Sequence, residues 1–149
     1  MNVQEQKVAV ITGASRGIGA GLVEAYRKLG YAVVATARSI GKSADPRVLT
    51  VAGDIAVPAT TDLVVAAAIE RFGRIDTLVN NAGVVLAKPF TQYTDEDYAT
   101  ATGVNLTGFF HLTRASVNAM LSGGGGHIVS ITTSLVDNAD ARVPSVWPH

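Results

Sequence analysis

Apolar positions follow two rhythms that alternate along the chain. Residues 7–12 (KVAVIT) form a continuous apolar, β-branched run, the pattern of a parallel strand buried on both faces. Residues 17–29 then set Ile18, Leu22, Val23, Tyr26 and Leu29 at helical spacing, and Gly30 suits a C-terminal cap. A second strand is expected over 31–37 (YAVVATA) and a third over 48–52, ending at Gly53-Asp54. The polar stretch 39–46 between them is too short for much helix. Pro58 opens a helix that runs through Leu63, Val64, Ala67 and Ile69 to Phe72, with Gly73 as its stop. The run 63–69 reads as core-facing. Residues 75–79 predict a fourth strand, and Thr94 with Asp95, Glu96 and Asp97 has the form of an N-cap with an acidic first turn. A long helix is expected over 104–121, Gly123–Gly126 break the chain, and residues 127–132 predict a fifth strand.

Strands alternating with helices in this way predict an α/β fold, a doubly wound parallel sheet of about five strands. The 149 residues fit one domain, with an irregular tail from about 135. Composition narrows the field further. Hydrophobic residues make up 48% and charged residues 16%, which favours a packed domain over disorder. Twelve basic and twelve acidic residues cancel, with no basic run, so binding to nucleic acid through its phosphates is not expected. Cysteine is absent, which removes disulfides, thiol catalysis and Cys-ligated zinc and fits a reducing cytoplasm. The polar start MNVQEQK carries no signal-peptide pattern, and no apolar run approaches the roughly 18–20 residues of a membrane span. The three histidines are scattered with no acid cluster beside them, so no metal site is expected.

The chemistry begins where the first strand meets the first helix. TGASRGIG (residues 12–19) sets Gly13, Gly17 and Gly19 in a tight turn, and the helix after it presents unpaired N–H groups and a positive dipole end. That is the environment a pyrophosphate needs. A P-loop is the rival. Gly41-Lys42-Ser43 has the form of its tail, but Thr36 stands where its first glycine belongs, and the rival fails.

Four motifs in order, TGASRGIG, Asp54 after the third strand, NNAG (residues 80–83) after the fourth, and VNLTG around Asn105, resemble a short-chain dehydrogenase/reductase. The resemblance runs from Val8 to about Ser134. It implies a Rossmann-type sheet and hydride transfer between a nicotinamide and a small alcohol or carbonyl. It assigns the cofactor to Gly13, Ser15, Arg16, Gly17, Ile18 and Gly19 in the turn. Asp54 would accept from the adenine amino group with Ile55 packed nearby, and Asn81, Ala82 and Gly83 would offer backbone near the adenosine ribose. Thr12 would tie the glycine turn to the Asn81 region. Taken singly, Asp54 also reads as a turn residue after Gly53, and Asn80 as a side chain satisfying loop amides.

An NAD-specific site would have an acid at the end of the second strand. Ala37 stands there instead, followed by Arg38, and Arg16 is a second cation. Two guanidinium groups suit a 2′-phosphate, so NADP(H) is favoured over NAD(H). For the reaction centre, the family uses an asparagine, matched by Asn105, and a serine after the fifth strand. Alignment on GHIVSITT puts Thr133 in that slot and Ser134 one place later, and neighbouring strand residues point to opposite faces. Both stay open. The family's Tyr-x-x-x-Lys does not occur: after Ser134 the chain reads LVDNADARVPSVWPH. A phenol needs a nearby cation to exchange a proton at neutral pH. The sequence therefore reads as truncated relative to the family, with a non-catalytic NADP-binding module as the alternative. A homo-oligomer through the long helix at 104–121 and an exposed apolar edge at 128–131 complete the expectations.

Overall fold

A computed structural model describes residues 6–133. Five strands form one sheet: β1 (Val8–Thr12), β2 (Ala32–Ala37), β3 (Val48–Ala52), β4 (Thr77–Asn80) and β5 (His127–Ser130). Their spatial order is β3-β2-β1-β4-β5, and every pairing is parallel. Parallel neighbours require crossovers. Helix α1 (Gly17–Lys28) joins β1 to β2, and α2 (Pro58–Phe72) joins β3 to β4. The last crossover consists of α3 (Asp95–Thr102), a π turn (Gly103–Gly108) and α4 (Phe109–Ser122). The β2–β3 link has no helix. Asp45 holds it, taking the Arg27 guanidinium at 2.8 Å and the Arg47 amide at 2.8 Å.

Side chains alternate across the sheet and build one core on each face. Val8, Val10, Ala32, Val34 and Leu78 face α2 and α4, where Val64, Ala68, Leu112 and Met120 cover them. Ala9, Ile11, Val33, Ala35 and Val79 face the other way, under Leu22, Val23 and Tyr26 of α1. Thus β1, β2 and β4 are covered on both sides, which accounts for their continuous apolar runs.

Three expectations are adjusted. The run 63–69 is not uniformly core-facing: Val64 and Ala68 are fully buried, whereas Leu63 is 54% and Ile69 40% exposed. At about 100° per residue, apolar neighbours in sequence cannot share one helix face. The helix starts at Asp95 as the Thr94 cap predicts, with Thr94 and Asp97 completing a capping box, but it does not run on unbroken into 104–121. It is interrupted by the π turn at Gly103–Gly108. The fifth strand is shorter than 127–132 and ends at Ser130. It lies at the sheet edge, where Ile128 and Ile131 are 39% and 41% exposed.

The strand order reverses between β1 and β4. The carboxyl ends of β1, β2 and β4 therefore meet at the switch point where open α/β sheets form a ligand crevice.

Candidate functional site

The buried strand β1 delivers Thr12 to the turn. Gly13 follows at φ +63°, a conformation glycine adopts without penalty. The Ala14 amide donates to Thr36 O at 3.1 Å and anchors the turn on β2. Arg16 is the N-cap of α1, extended, with no side-chain cap bond and no acid in the first turn. The leading N–H groups of that helix are thus left without a side-chain partner, beside the positive dipole end. Close packing explains Gly19: a Cβ there would approach Gly13 C and Asn81 Nδ2 to 2.7 Å.

The loop after β4 is tied to the same turn. Thr12 Oγ1 accepts the Asn81 amide at 3.0 Å and the Ala82 amide at 2.8 Å. Asn81 Nδ2 returns a bond to Thr12 O at 3.0 Å and reaches Gly13 O at 3.3 Å. Asn80 points elsewhere, its Nδ2 donating to Thr113 Oγ1 on α4 at 3.1 Å. On the other flank, Asp54 Oδ1 accepts the Ala56 amide at 2.9 Å, closing a turn that presents Ile55.

These elements enclose a groove of about 790 Å³. It gathers Gly13, Ser15, Arg16, Gly17 and Ile18 from the turn, and Arg38 from the end of β2. Asp54 and Ile55 line the β3 side, and Asn81, Ala82 and Gly83 the β4 side. Gly19 lies beneath, buried against the turn. Two arginines and one carboxylate are the ionisable groups in this lining, so the groove favours an anion.

The reaction-centre candidates stand apart from that lining. Asn105 sits in the π turn with its carboxamide engaged: Oδ1 accepts the Val84 amide at 2.9 Å and Nδ2 donates to Val84 O at 2.9 Å. It clamps the groove wall rather than opening into it. Thr133 lies three residues beyond the end of β5, outside the strand's alternation. Ser134 and the tail from about 135 fall outside the described residues.

Thr36, Ser39, Gly53, Val84, Val85, Thr100 and Val104 also line the groove and were not assigned to the cofactor by sequence, although Val104 opens the VNLTG motif. Thr100 and Val104 lie four apart on one helical face, a spacing any amphipathic helix shows. Nothing local marks Thr100. The loop leading from Val85 is braced by Lys88, which pairs with Asp97 and lies 5.6 Å from the Tyr93 ring centroid. The Tyr93 hydroxyl donates to Leu86 O. Bonds from Lys88 and from the Thr94 amide lower the Asp97 carboxyl to about 2. Among the described residues no helix is long and apolar enough to cross a membrane, and no group of metal-binding side chains gathers.

A five-stranded parallel sheet with a glycine turn and an uncapped helix terminus at its switch point is a Rossmann-type α/β architecture. The comparisons with known proteins give the family. Residues 7–144 match the short chain dehydrogenase family, and the chain belongs to it. The chain is 38% identical over 147 residues to an uncharacterized oxidoreductase of Methylorubrum extorquens, covering 92% of this chain and 58% of that protein. The structure of a 3-ketoacyl-(acyl-carrier-protein) reductase from Brucella melitensis complexed with NADH matches with a TM-score of 0.85 at 30% identity, over 94% of this chain and 62% of that one. A metagenomic short-chain oxidoreductase in complex with NADP matches with a TM-score of 0.77 at 31% identity, over 88% and 63%. The chain thus spans less than two thirds of the length of each of these proteins.

Proposed function

We propose that the chain is the cofactor-binding part of an NADP(H)-dependent oxidoreductase that moves hydride between nicotinamide and a small alcohol or carbonyl. The observation that carries this reading is the groove itself, which holds Arg16 and Arg38 beside the glycine turn and has no acid at Ala37. The pyrophosphate fits the turn at Gly13–Gly17 and the uncapped start of α1. The two guanidinium groups fit a 2′-phosphate, which they grip through paired N–H donors. Asp54 accepts from the adenine amino group while its other oxygen keeps the Ala56 turn, and Ile55 packs against the base. The backbone of Asn81, Ala82 and Gly83 runs along the ribose. When bound, the nicotinamide supplies or accepts the hydride. Asn105 acts on this site by holding Val84, and Thr133 or Ser134 supplies the hydroxyl of the reaction centre.

The relatives take both dinucleotides, one solved with NADH and one with NADP. The choice here therefore rests on the arginine pair. Titrating the purified chain with NADPH and with NADH, while following nicotinamide fluorescence, tests it: saturation with tighter binding of NADPH is expected. No saturable signal from either would sink the cofactor reading. NADPH consumption against a carbonyl panel then separates an enzyme from a non-catalytic NADP-binding module. We further propose that a second copy of the chain docks on the long helix, where Phe109 and Phe110 are exposed at 39% and 55%. Sedimentation equilibrium tests that pairing.

A further inference from the structure

Gly103 and Gly108 are five residues apart, and at about 100° per residue a regular α-helix would turn them about 140° away from each other. The chain instead closes a π turn over Gly103–Gly108. Its i→i+5 bonding returns residues five apart to one side. Both glycines consequently face the loop after β3. A Cβ on Gly108 would lie 2.8 Å from Ile55 O and Ile55 Cγ1, and one on Gly103 would lie 3.3 Å from Ala56 Cβ. The contact at 108 is with backbone, so no side-chain rotation relieves it. Neither position needs glycine for its conformation: Gly103 has φ −58° and Gly108 φ −62°, ordinary right-handed values. Within a helix glycine is less stable than alanine. What the two glycines supply is close approach.

This seam joins the two sides of the groove. Ile55 lines the groove next to Asp54 on one side. On the other, Asn105 lies inside the π turn and holds Val84 by two bonds of 2.9 Å, and Val84 and Val104 line the groove as well. A displacement of Ile55 is therefore a displacement of the π turn, and the reverse. We propose that Gly103 and Gly108 are positioning residues that set the distance between the Ile55 rim, where the adenine end rests, and the Asn105–Val84 clamp. Occupancy of one end of the groove then fixes the other. The inference rests on the cofactor reading above and adds the device that holds the site's two ends in register.

Two variants of the full chain, Gly108→Ala and Gly103→Ala, test the seam by two readouts. The first is hydrogen exchange of the Ala56 and Val84 amides without nucleotide, since these are bonded to Asp54 Oδ1 and Asn105 Oδ1. The second is calorimetric affinity for adenosine 2′,5′-bisphosphate, which carries the adenine end alone. Gly108→Ala should speed exchange at both amides, leave the β2 core amides slow, and weaken the bisphosphate about tenfold, the scale of an overpacking penalty. Gly103→Ala should do the same to a smaller degree, following the longer Cβ distance. Unchanged exchange at Ala56 and Val84 in folded Gly108→Ala overturns the seam. Faster exchange with unchanged bisphosphate affinity overturns the positioning role. If Gly108→Ala does not fold, Gly103→Ala decides by the same two criteria. A wild-type chain that binds neither NADPH nor the bisphosphate sinks the cofactor reading and the positioning role with it, while exchange still judges the seam.

Discussion

Thr12 and Asn81 hold each other in both directions: the Thr12 hydroxyl accepts the Asn81 amide at 3.0 Å, and the Asn81 carboxamide donates to Thr12 O at 3.0 Å. The same hydroxyl also takes the Ala82 amide at 2.8 Å, so one buried oxygen joins the glycine turn to the loop after β4. Thr12→Val preserves shape and removes that acceptor. Two backbone donors then lose their partner, at a cost of about 1–3 kcal/mol once their partial exposure is allowed for. Urea denaturation should register the loss as a lower midpoint with an unchanged slope. NADPH affinity should fall alongside, because both sides of the groove move.

In the proposed site Arg38 is the residue expected to separate the two dinucleotides. A hydrogen bond to a charged group contributes about 1.5–3 kcal/mol, so Arg38→Ala should weaken NADPH by about tenfold to a hundredfold. NADH, which has no 2′-phosphate, should keep its affinity. Fluorescence titration of both cofactors against both proteins reads the difference, and an equal loss for each would remove the basis for NADP selectivity.

Most of the sheet was legible because its signals are local. Pro58 and Gly73 bound α2 where punctuation by those residues says they should, and Thr94 caps α3 through Asp97. The glycine turn was legible for the same reason, since Gly13 and Gly19 answer to one backbone angle and one close approach. What sequence could not carry was the partner of each side chain. Ile18 fits the apolar stripe of α1 by its spacing, and only the family resemblance, not the periodicity, points it to the groove that it borders at 64% exposure. Thr100 and Val104 reach the groove from a helix more than eighty residues beyond the glycine turn. The π turn left no periodic mark, because one shifted hydrogen-bond register is decided by packing on Ile55 and Ala56.

Acid should loosen the loop that carries the groove wall. Bonds from Lys88 and from the Thr94 amide hold the Asp97 carboxyl at about 2, below its ordinary 3.8. A carboxyl lowered on folding stabilises the native state above its unfolded value and loses that contribution as pH falls through the folded one. The window for Asp97 therefore runs from 3.8 down to about 2. Asp45, lowered by Arg27 and then by the Arg47 amide, contributes in the same direction. Thermal midpoints measured over this range should fall less steeply in Asp97→Asn than in wild type. The variant should also start from a lower midpoint at neutral pH, where the ion pair is already lost.

The proposed site gives Asp54 two duties on two oxygens, and a single substitution separates them. Oδ1 accepts the Ala56 amide at 2.9 Å and shapes the turn that presents Ile55. Asp54→Asn keeps an oxygen for that bond and exchanges the other for an amino donor. Adenine offers a donor at its exocyclic position, whereas hypoxanthine offers a carbonyl. Wild type should therefore bind NADPH about tenfold better than its hypoxanthine analogue, the value of one charge-assisted bond at a partly buried site. In Asp54→Asn the preference should shrink or reverse while the thermal midpoint stays within a few degrees. Asp54→Ala should weaken both cofactors and lower the midpoint, since the Ala56 amide then has no acceptor. Identical preference ratios in wild type and Asp54→Asn would assign Asp54 to the turn alone and leave the adenine to Ile55.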